Sequence, residues 1–329
     1  MSGLILLEFI PEIDRTGRCY AQVVIDYSIN KMDSDGKDRI TIGASLIVKN
    51  EEEMLARCLD SLKGFDEIII VDTGSEDKTV EIARKYTDKV FTDYKWEDSF
   101  AKARNHALSK NTADWIYVID ADEYLISPVS KIREWVEKAE QKGWKALHVC
   151  VTGGPNDKFY SVRLFKRLST TMWHGDCHNY LNVLGECDTD IMHHYDYSPA
   201  HNKDPDRAFR ILKKAVAENP KLVREKFYLA REYWYRNLYV EALAWYNEYL
   251  KVAYFGPEIT EAWLVKARCL WHLMRGEEAR DACAKCISLN TNFKEALLFM
   301  AEMSGPGNEK RWKEFAATAT NSGVLFIRT

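Results

Sequence analysis

Val118-Ile119-Asp120-Ala121-Asp122-Glu123 is the stretch on which the fold turns. The apolar run Trp115–Ile119 reads as a strand, and it delivers two aspartates two residues apart at its end. On extended backbone, positions i and i+2 face the same way, so Asp120 and Asp122 are expected to aim at one point just past the strand. Open α/β sheets bind ligands at those carboxyl ends. Oxygens paired in this way suit Mg²⁺ or Mn²⁺, with the phosphates of a substrate completing the shell. The same pattern also occurs as a solvated turn, so the surrounding elements decide its meaning.

Working outward, strands and helices alternate from Ile40. Ile40–Val48 reads as a strand. Asn50 with Glu53 forms a capping box for the next helix, and Met54, Leu55, Cys58, Leu59 and Leu62 make its apolar stripe. Gly64 ends that helix. Glu67–Val71 reads as a buried strand, Ser75 or Asp77 starts a helix running through Tyr86, and Val90-Phe91 is a short strand. Ser99–Lys110 reads as a helix that leads into the strand at Trp115. This alternation predicts an α/β fold, a mostly parallel sheet with helices on both faces. Ala146–Val151 and Ser161–Leu168 read as further strands, and 169–200 as irregular.

The two ends read differently. Residues 1–39 are expected to add a β-hairpin, from Leu4–Ile10 and Tyr20–Ile29 around Arg15-Thr16-Gly17-Arg18, followed by a polar linker at Asp33–Asp38. From about Asp206 the pattern is wholly helical. Glu241-Ala242, Glu261-Ala262, Glu278-Ala279 and Glu295-Ala296 recur at offsets near the roughly 34-residue period of tetratricopeptide repeats. Such helix pairs bury their apolar faces by stacking. The expected division is a hairpin at 1–39, an α/β domain at 40–205 and an all-α repeat region at 206–329.

Composition narrows the class. A chain of 329 residues with 46% hydrophobic and 29% charged residues has the balance of a globular protein. A formal net charge of −4 gives no global field for nucleic acid. The eight cysteines fall in no disulfide framework, which suits free thiols in a reducing, cytoplasmic setting. Cys283 and Cys286 form a lone C-x-x-C within a helical pattern and read as a helix face. Leu4–Ile10 is too short and too interrupted for a signal peptide. No run reaches the roughly 18 apolar residues of a membrane-spanning helix.

The strand ends carry the chemistry. Lys49 and Glu51 follow the first strand, Asp72 with Gly74 and Ser75 ends the second, and Arg104 lies on the helix before the Asp-x-Asp strand. IGASLIVKNEE, IIIVDTGSEDKT, DSFAKARNHAL and WIYVIDADEYL, followed by Arg163-Leu164-Phe165-Lys166-Arg167, together resemble the family-2 glycosyltransferases of the GT-A fold over about residues 40–200. That resemblance implies a nucleotide-sugar donor, a UDP-sugar by family habit, and Mn²⁺ or Mg²⁺. It places Lys49, Glu51 and Asp72 around the nucleoside, and Arg104 and Asp120 near the diphosphate. Asp122 becomes the direct metal ligand, with Asp120, His178 and His194 as further candidates. The metal would stabilise the diphosphate leaving group.

The acceptor side departs from the family. Trp173-His174-Gly175-Asp176-Cys177-His178-Asn179 stands where relatives often carry W-x-G-x-x-H-E, and an amide at Asn179 cannot serve as a general base. Asp176 is the substitute candidate and Glu186 the second. The expected reaction is an inverting transfer to a protein or peptide side chain or a glycan, with a modified DNA base disfavoured by charge. The repeats would hold the acceptor or form a homodimer. One rival reading is a repeat scaffold that has lost activity. Another is a nucleotidyltransferase, against which Lys49-Asn50-Glu51 speaks, since it is no glycine-rich phosphate loop.

Overall fold

The computed structural model describes residues 9–13, 19–23, 39–154 and 157–319. The chain divides into two compact units, residues 1–41 and 42–329. In the first, β1 (Phe9–Ile13) and β2 (Cys19–Val23) pair antiparallel, Phe9 opposite Val23 and Ile13 opposite Cys19. The remainder of the expected hairpin, with its turn and linker, lies outside the described residues.

The second unit opens with β3 (Ile42–Val48), α1 (Leu55–Ser61), β4 (Glu67–Asp72), α2 (Thr79–Ala83), β5 (Val90–Phe91), α3 (Phe100–Lys110) and β6 (Trp115–Val118). There follow β7 (Glu123–Leu125), α4 (Val129–Lys142), β8 (Ala146–Gly154), β9 (Asp157–Lys166), β10 (Trp173–His174), β11 (Tyr180–Leu181) and β12 (Asp188–Tyr195). The main sheet runs β5-β4-β3-β6-β9-β8-β12-β7. Its β5-β4-β3-β6 half is parallel. Ile42, Ala44, Leu46 and Val48 are buried, as are Ile69, Ile70 and Val71 beside them, in keeping with near-continuous apolar strands covered on both faces.

The other half makes the sheet mixed. β9 is antiparallel to both β6 and β8, and β7 is antiparallel to β12, while β8 and β12 are parallel. The connection from β8 to β9 is far too short for a parallel crossover, which takes about a dozen residues or more. The region read as irregular contains β12. Its Thr189, Ile191 and His193 face inward and Asp188 and Asp190 outward, an alternation masked by the polar character of the inward threonine and histidine.

The start of α1 also differs from expectation. Asn50 adopts a left-handed φ of 57° and does not cap the helix. Its Oδ1 accepts from the Glu76 amide at 2.8 Å, and its own amide donates to Ser75 Oγ at 2.8 Å. Ser75 and Asp77 are likewise engaged across this gap, and α2 begins only at Thr79. The residues read as caps instead tie the β3–α1 and β4–α2 loops together at the sheet's carboxyl edge.

After a 3-10 turn at Pro199–Lys203 the chain is all helix: α5 (Arg207–Glu218), α6 (Val223–Tyr235), α7 (Tyr239–Leu250), α8 (Gly256–His272), α9 (Gly276–Leu289), α10 (Lys294–Glu302) and α11 (Pro306–Thr318). Each helix packs on the next. Phe227, Tyr246, Tyr249, Leu264 and Phe293 lie in their shared core, and Trp96, Phe100 and Cys177 from the sheet side join it. Cys283 and Cys286 are buried on α9, their thiols directed to the carbonyls of Ala296 and Thr260 at 3.3 and 3.2 Å. Among the described residues, no helix is long and apolar enough to cross a membrane.

Candidate active site

A cavity of about 1500 Å³ opens where β3, β6, β8 and β12 end, and its far wall is built by the 3-10 turn, α5 and α6. Lys49, Glu51, Arg104, Asp120, Asp122 and His178 all line it. Asp120 and Asp122 lie past the end of β6, Asp122 in the turn that leads into β7, and both reach the cavity.

The two aspartates have different surroundings. Asp120 Oδ1 accepts from Arg104 Nη2 at 2.6 Å, and Asp120 Oδ2 is 3.6 Å from Arg163 Nη1. Burial works against ionisation of Asp120, but the two guanidinium groups outweigh it and hold the carboxyl below its usual range. For Asp122 the balance goes the other way: burial, then the charges of Asp120 and Glu123, push it up to about 7 against hydrogen bonds from its own amide and that of Ser198. Glu51 is also pushed up to about 7, by burial and by the neighbouring aspartates, against a 2.6 Å hydrogen bond donated by Ser198 Oγ.

Beneath them lies a buried polar support. Glu123 Oε2 accepts from the Asp120 amide at 2.8 Å, and Glu123 Oε1 accepts from Arg163 Nη2 at 2.7 Å. Tyr117 Oη and His193 Nδ1 are hydrogen-bonded at 2.9 Å. Burial and the nearby Arg163 keep His193 neutral. Sequence reasoning noted Arg163 within its strand but gave no role to Glu123, His193 or Ser198. The acidic residue directly after the Asp-x-Asp was the available signal for Glu123.

Residues 45–189 match the model described as Glycosyl transferase family 2. The chain carries a family-2 glycosyl transferase domain. Its mixed sheet and flanking helices form the GT-A α/β fold expected from the sequence. A TPR repeat-containing protein of Synechococcus elongatus is 44% identical over 128 residues, 38% of this chain and 31% of its own length. The SPbeta prophage-derived glycosyltransferase SunS of Bacillus subtilis is 41% identical over 87 residues, 26% of this chain and 21% of its own. The lipopolysaccharide core biosynthesis glycosyltransferase LpsC of Rhizobium meliloti is 31% identical over 113 residues, 32% of this chain and 42% of its own. The chain therefore spans well under half the length of these curated relatives. A solved structure of S. aureus TarS, residues 1–349, covers 84% of this chain and 90% of its own at 14% identity and a TM-score of 0.37, a score that establishes no shared fold by itself.

Within the transferase domain, four of the expected site residues stand apart from the cavity wall. The Asp72 carboxylate is turned into its own loop, accepting from the amides of Gly74 and Ser75 at 3.0 and 3.1 Å. Thr73 and Glu76 reach the wall instead. Glu186 lies at the opposite edge of the sheet, where its carboxylate accepts from the amides of Lys145 and Ala146 at the start of β8. A base there cannot touch a reaction at the carboxyl edge, so its assignment is corrected. Asp176 is half-buried beside α3, its carbonyl accepting from the Phe100 amide at 2.9 Å, and it does not line the cavity.

The expected metal set is corrected as well. Among the described residues, no three His, Cys, Asp or Glu side chains converge to hold an ion. His194 turns to the far side of β12, with Nε2 3.2 Å from Asp196 and its ring against Tyr124. His178 lines the cavity and stacks on Tyr228 with ring centroids 3.9 Å apart, and the protein crowded around its ring, then the charges of Arg231 and Arg224, lower its pKa. Two guanidinium groups beside an imidazole oppose a cation there. What remains is Asp122 with Glu51, two mutually repelling carboxylates. That pair fits a divalent ion of the Mg²⁺ type, which takes one or two protein carboxylates and completes its shell from substrate phosphates and water.

Proposed function

We propose that this chain is an inverting glycosyltransferase that uses a UDP-sugar and a divalent cation. The observation that carries the reading is the raised pair Asp122 and Glu51, set at the carboxyl edge beside Arg104 in a family-2 domain. Asp122 and Glu51 would hold Mn²⁺ or Mg²⁺, which supplies Lewis-acid stabilisation of the departing diphosphate. Lys49 and Arg104 face the same space and would pair with phosphate oxygens. Asp120 acts through Arg104, fixing its guanidinium by a charge-assisted bond.

The proton acceptor must come from the cavity wall. Asp204 there is held by Arg210 through both oxygens at 2.8 and 3.2 Å, and Glu232 is paired with Arg236. Among the described residues, the Asp98 carboxylate accepts one side-chain hydrogen bond, from the indole N–H of Trp96 at 3.0 Å, and Asp98 has a left-handed φ of 56°. Unusual backbone of this kind gathers at functional sites. Asp98 therefore replaces Asp176 as the proposed general base. Asp98→Asn should abolish transfer while leaving UDP binding intact; undiminished transfer by that variant would remove Asp98 from the reaction.

We further propose the division into a hairpin at 1–39, the transferase domain at 40–205 and tetratricopeptide-like repeats at 206–329. The name of the Synechococcus relative supports repeats, that of the Bacillus relative a glycosyltransferase, and that of the Rhizobium relative a glycan acceptor; a protein or peptide acceptor is proposed from the repeats alone. Buried free thiols at Cys58, Cys150, Cys177 and Cys269 favour a reducing, cytoplasmic setting.

A further inference from the structure

The cavity is larger than one ligand requires. Small-molecule sites occupy about 300–1,000 Å³, against about 1500 Å³ here. The excess faces α5 and α6, where Trp96, Phe100, Arg207, Arg231 and Tyr235 form the wall. Arg207 is the unusual member. Its guanidinium carbon lies over the Phe100 ring, 5.1 Å from the centroid. Among the described residues its guanidinium makes no hydrogen bond and no ion pair. The acidic groups on this wall are committed elsewhere, Asp204 to Arg210 and Glu232 to Arg236.

Stacking uses the face of a guanidinium and leaves its edge available. That edge carries N–H donors in a planar fork matched to carboxylate and phosphate. Phe100 and Arg104 are four residues apart on α3 and so lie on one face, one turn from each other. A group held by Arg207 therefore sits about one helical turn from the arginine that binds Asp120, on the cavity wall that also carries Asp98, two residues before Phe100. Arg207 comes from the first turn of α5, so the helical region itself supplies this contact.

We propose that Arg207, seated on Phe100, forms an acceptor subsite for a carboxylate or phosphate group. This rests on the donor reading only in assigning the other half of the cavity to the nucleotide. The test is calorimetric titration of the full chain, and of its Arg207→Gln variant, with glucose 6-phosphate, glucuronate and glucose. Each titration is run with saturating UDP and Mn²⁺, so that anions cannot enter the donor half, and again without them. The expected result is that wild type binds one or both anionic sugars at least about tenfold more tightly than glucose. Arg207→Gln should lose that preference and keep its affinity for UDP and its thermal midpoint. The phosphate and carboxylate arms tell which anion the fork prefers. Equal binding of glucose, no binding of any sugar, or an anion preference that survives Arg207→Gln would overturn the proposal. Failure of UDP to bind wild type would instead overturn the donor reading, and the titrations without UDP would still decide the role of Arg207.

Discussion

At the residue scale, the site works by giving neighbouring carboxylates opposite fates. Asp120 lies between Arg104 and Arg163 and stays ionised, whereas Asp122 and Glu51 are held near 7. Free carboxyls titrate at 3.8 and 4.5, so the folded chain without metal keeps protons that the unfolded chain has released. The stability these two groups contribute is greatest at low pH and is lost as pH rises from about 4 through 7. A cation must displace the same protons, so its affinity rises over that window. Mn²⁺ binding measured by calorimetry should strengthen at least about tenfold between pH 6 and pH 8; a flat profile would contradict the assignment of these ligands. Arg163 is a positioning residue, because it compensates buried Glu123 and steadies Asp120. Arg163→Met strands that charge and should destabilise the chain by about 3–5 kcal/mol in denaturant titration, with part of the loss recovered when Glu123→Gln is added. An unchanged midpoint for Arg163→Met would refute this support role. Asp120, Asp122, Glu51 and Lys49 were legible because strand ends announce a sheet's ligand edge, and Arg104 because its helix leads into the Asp-x-Asp strand. The roles of Arg163 and Ser198 were not, since their partners lie 40 and 147 residues away and only folding brings them into contact.

At the scale of elements, one buried acid holds the parallel half of the sheet. Glu67, at the start of β4, accepts from the amides of Thr112 and Ala113 at 2.7 and 2.8 Å, from Thr112 Oγ1 at 2.8 Å and from Lys89 Nζ at 2.7 Å. Burial opposes its ionisation, but these donors prevail and hold its pKa down. Glu67→Ala should leave two amides without acceptors and cost about 2–4 kcal/mol in chemical denaturation. A cost under about 0.5 kcal/mol would show that water replaces the carboxylate. Gly43 lies against the same side chain: a Cβ there would come within 2.8 Å of Glu67 Cγ. The parallel strands were legible from their uninterrupted apolar runs. β12 was not, because its inward positions include Thr189 and His193, and inward polar side chains erase the alternation that marks a strand. Nor could Asn50 be read correctly, since a helix cap and a loop tie use the same side chain.

At the scale of the whole unit, the helices are part of the site. α5 and α6 wall the cavity, and Trp96, Phe100 and Cys177 from the sheet side share the helical core. A chain ending before α5 would expose that apolar surface and lose Arg207, Arg231 and Tyr235. It should aggregate, or give no cooperative unfolding transition, where the full chain gives one. A monomeric, cooperatively folding truncation would show the helices to be a separable appendage. The helical region was legible from its repeated Glu-Ala spacing, but its share in the cavity was not, because nothing in a helical pattern tells which end meets the sheet. The most direct test of the whole account is calorimetric binding of UDP to the full chain and to Asp122→Asn, each with and without Mn²⁺. The account predicts that Mn²⁺ strengthens UDP binding to wild type at least about tenfold and has no such effect on Asp122→Asn. Equal, metal-independent affinity in both proteins, or no affinity in a folded wild type, would contradict it.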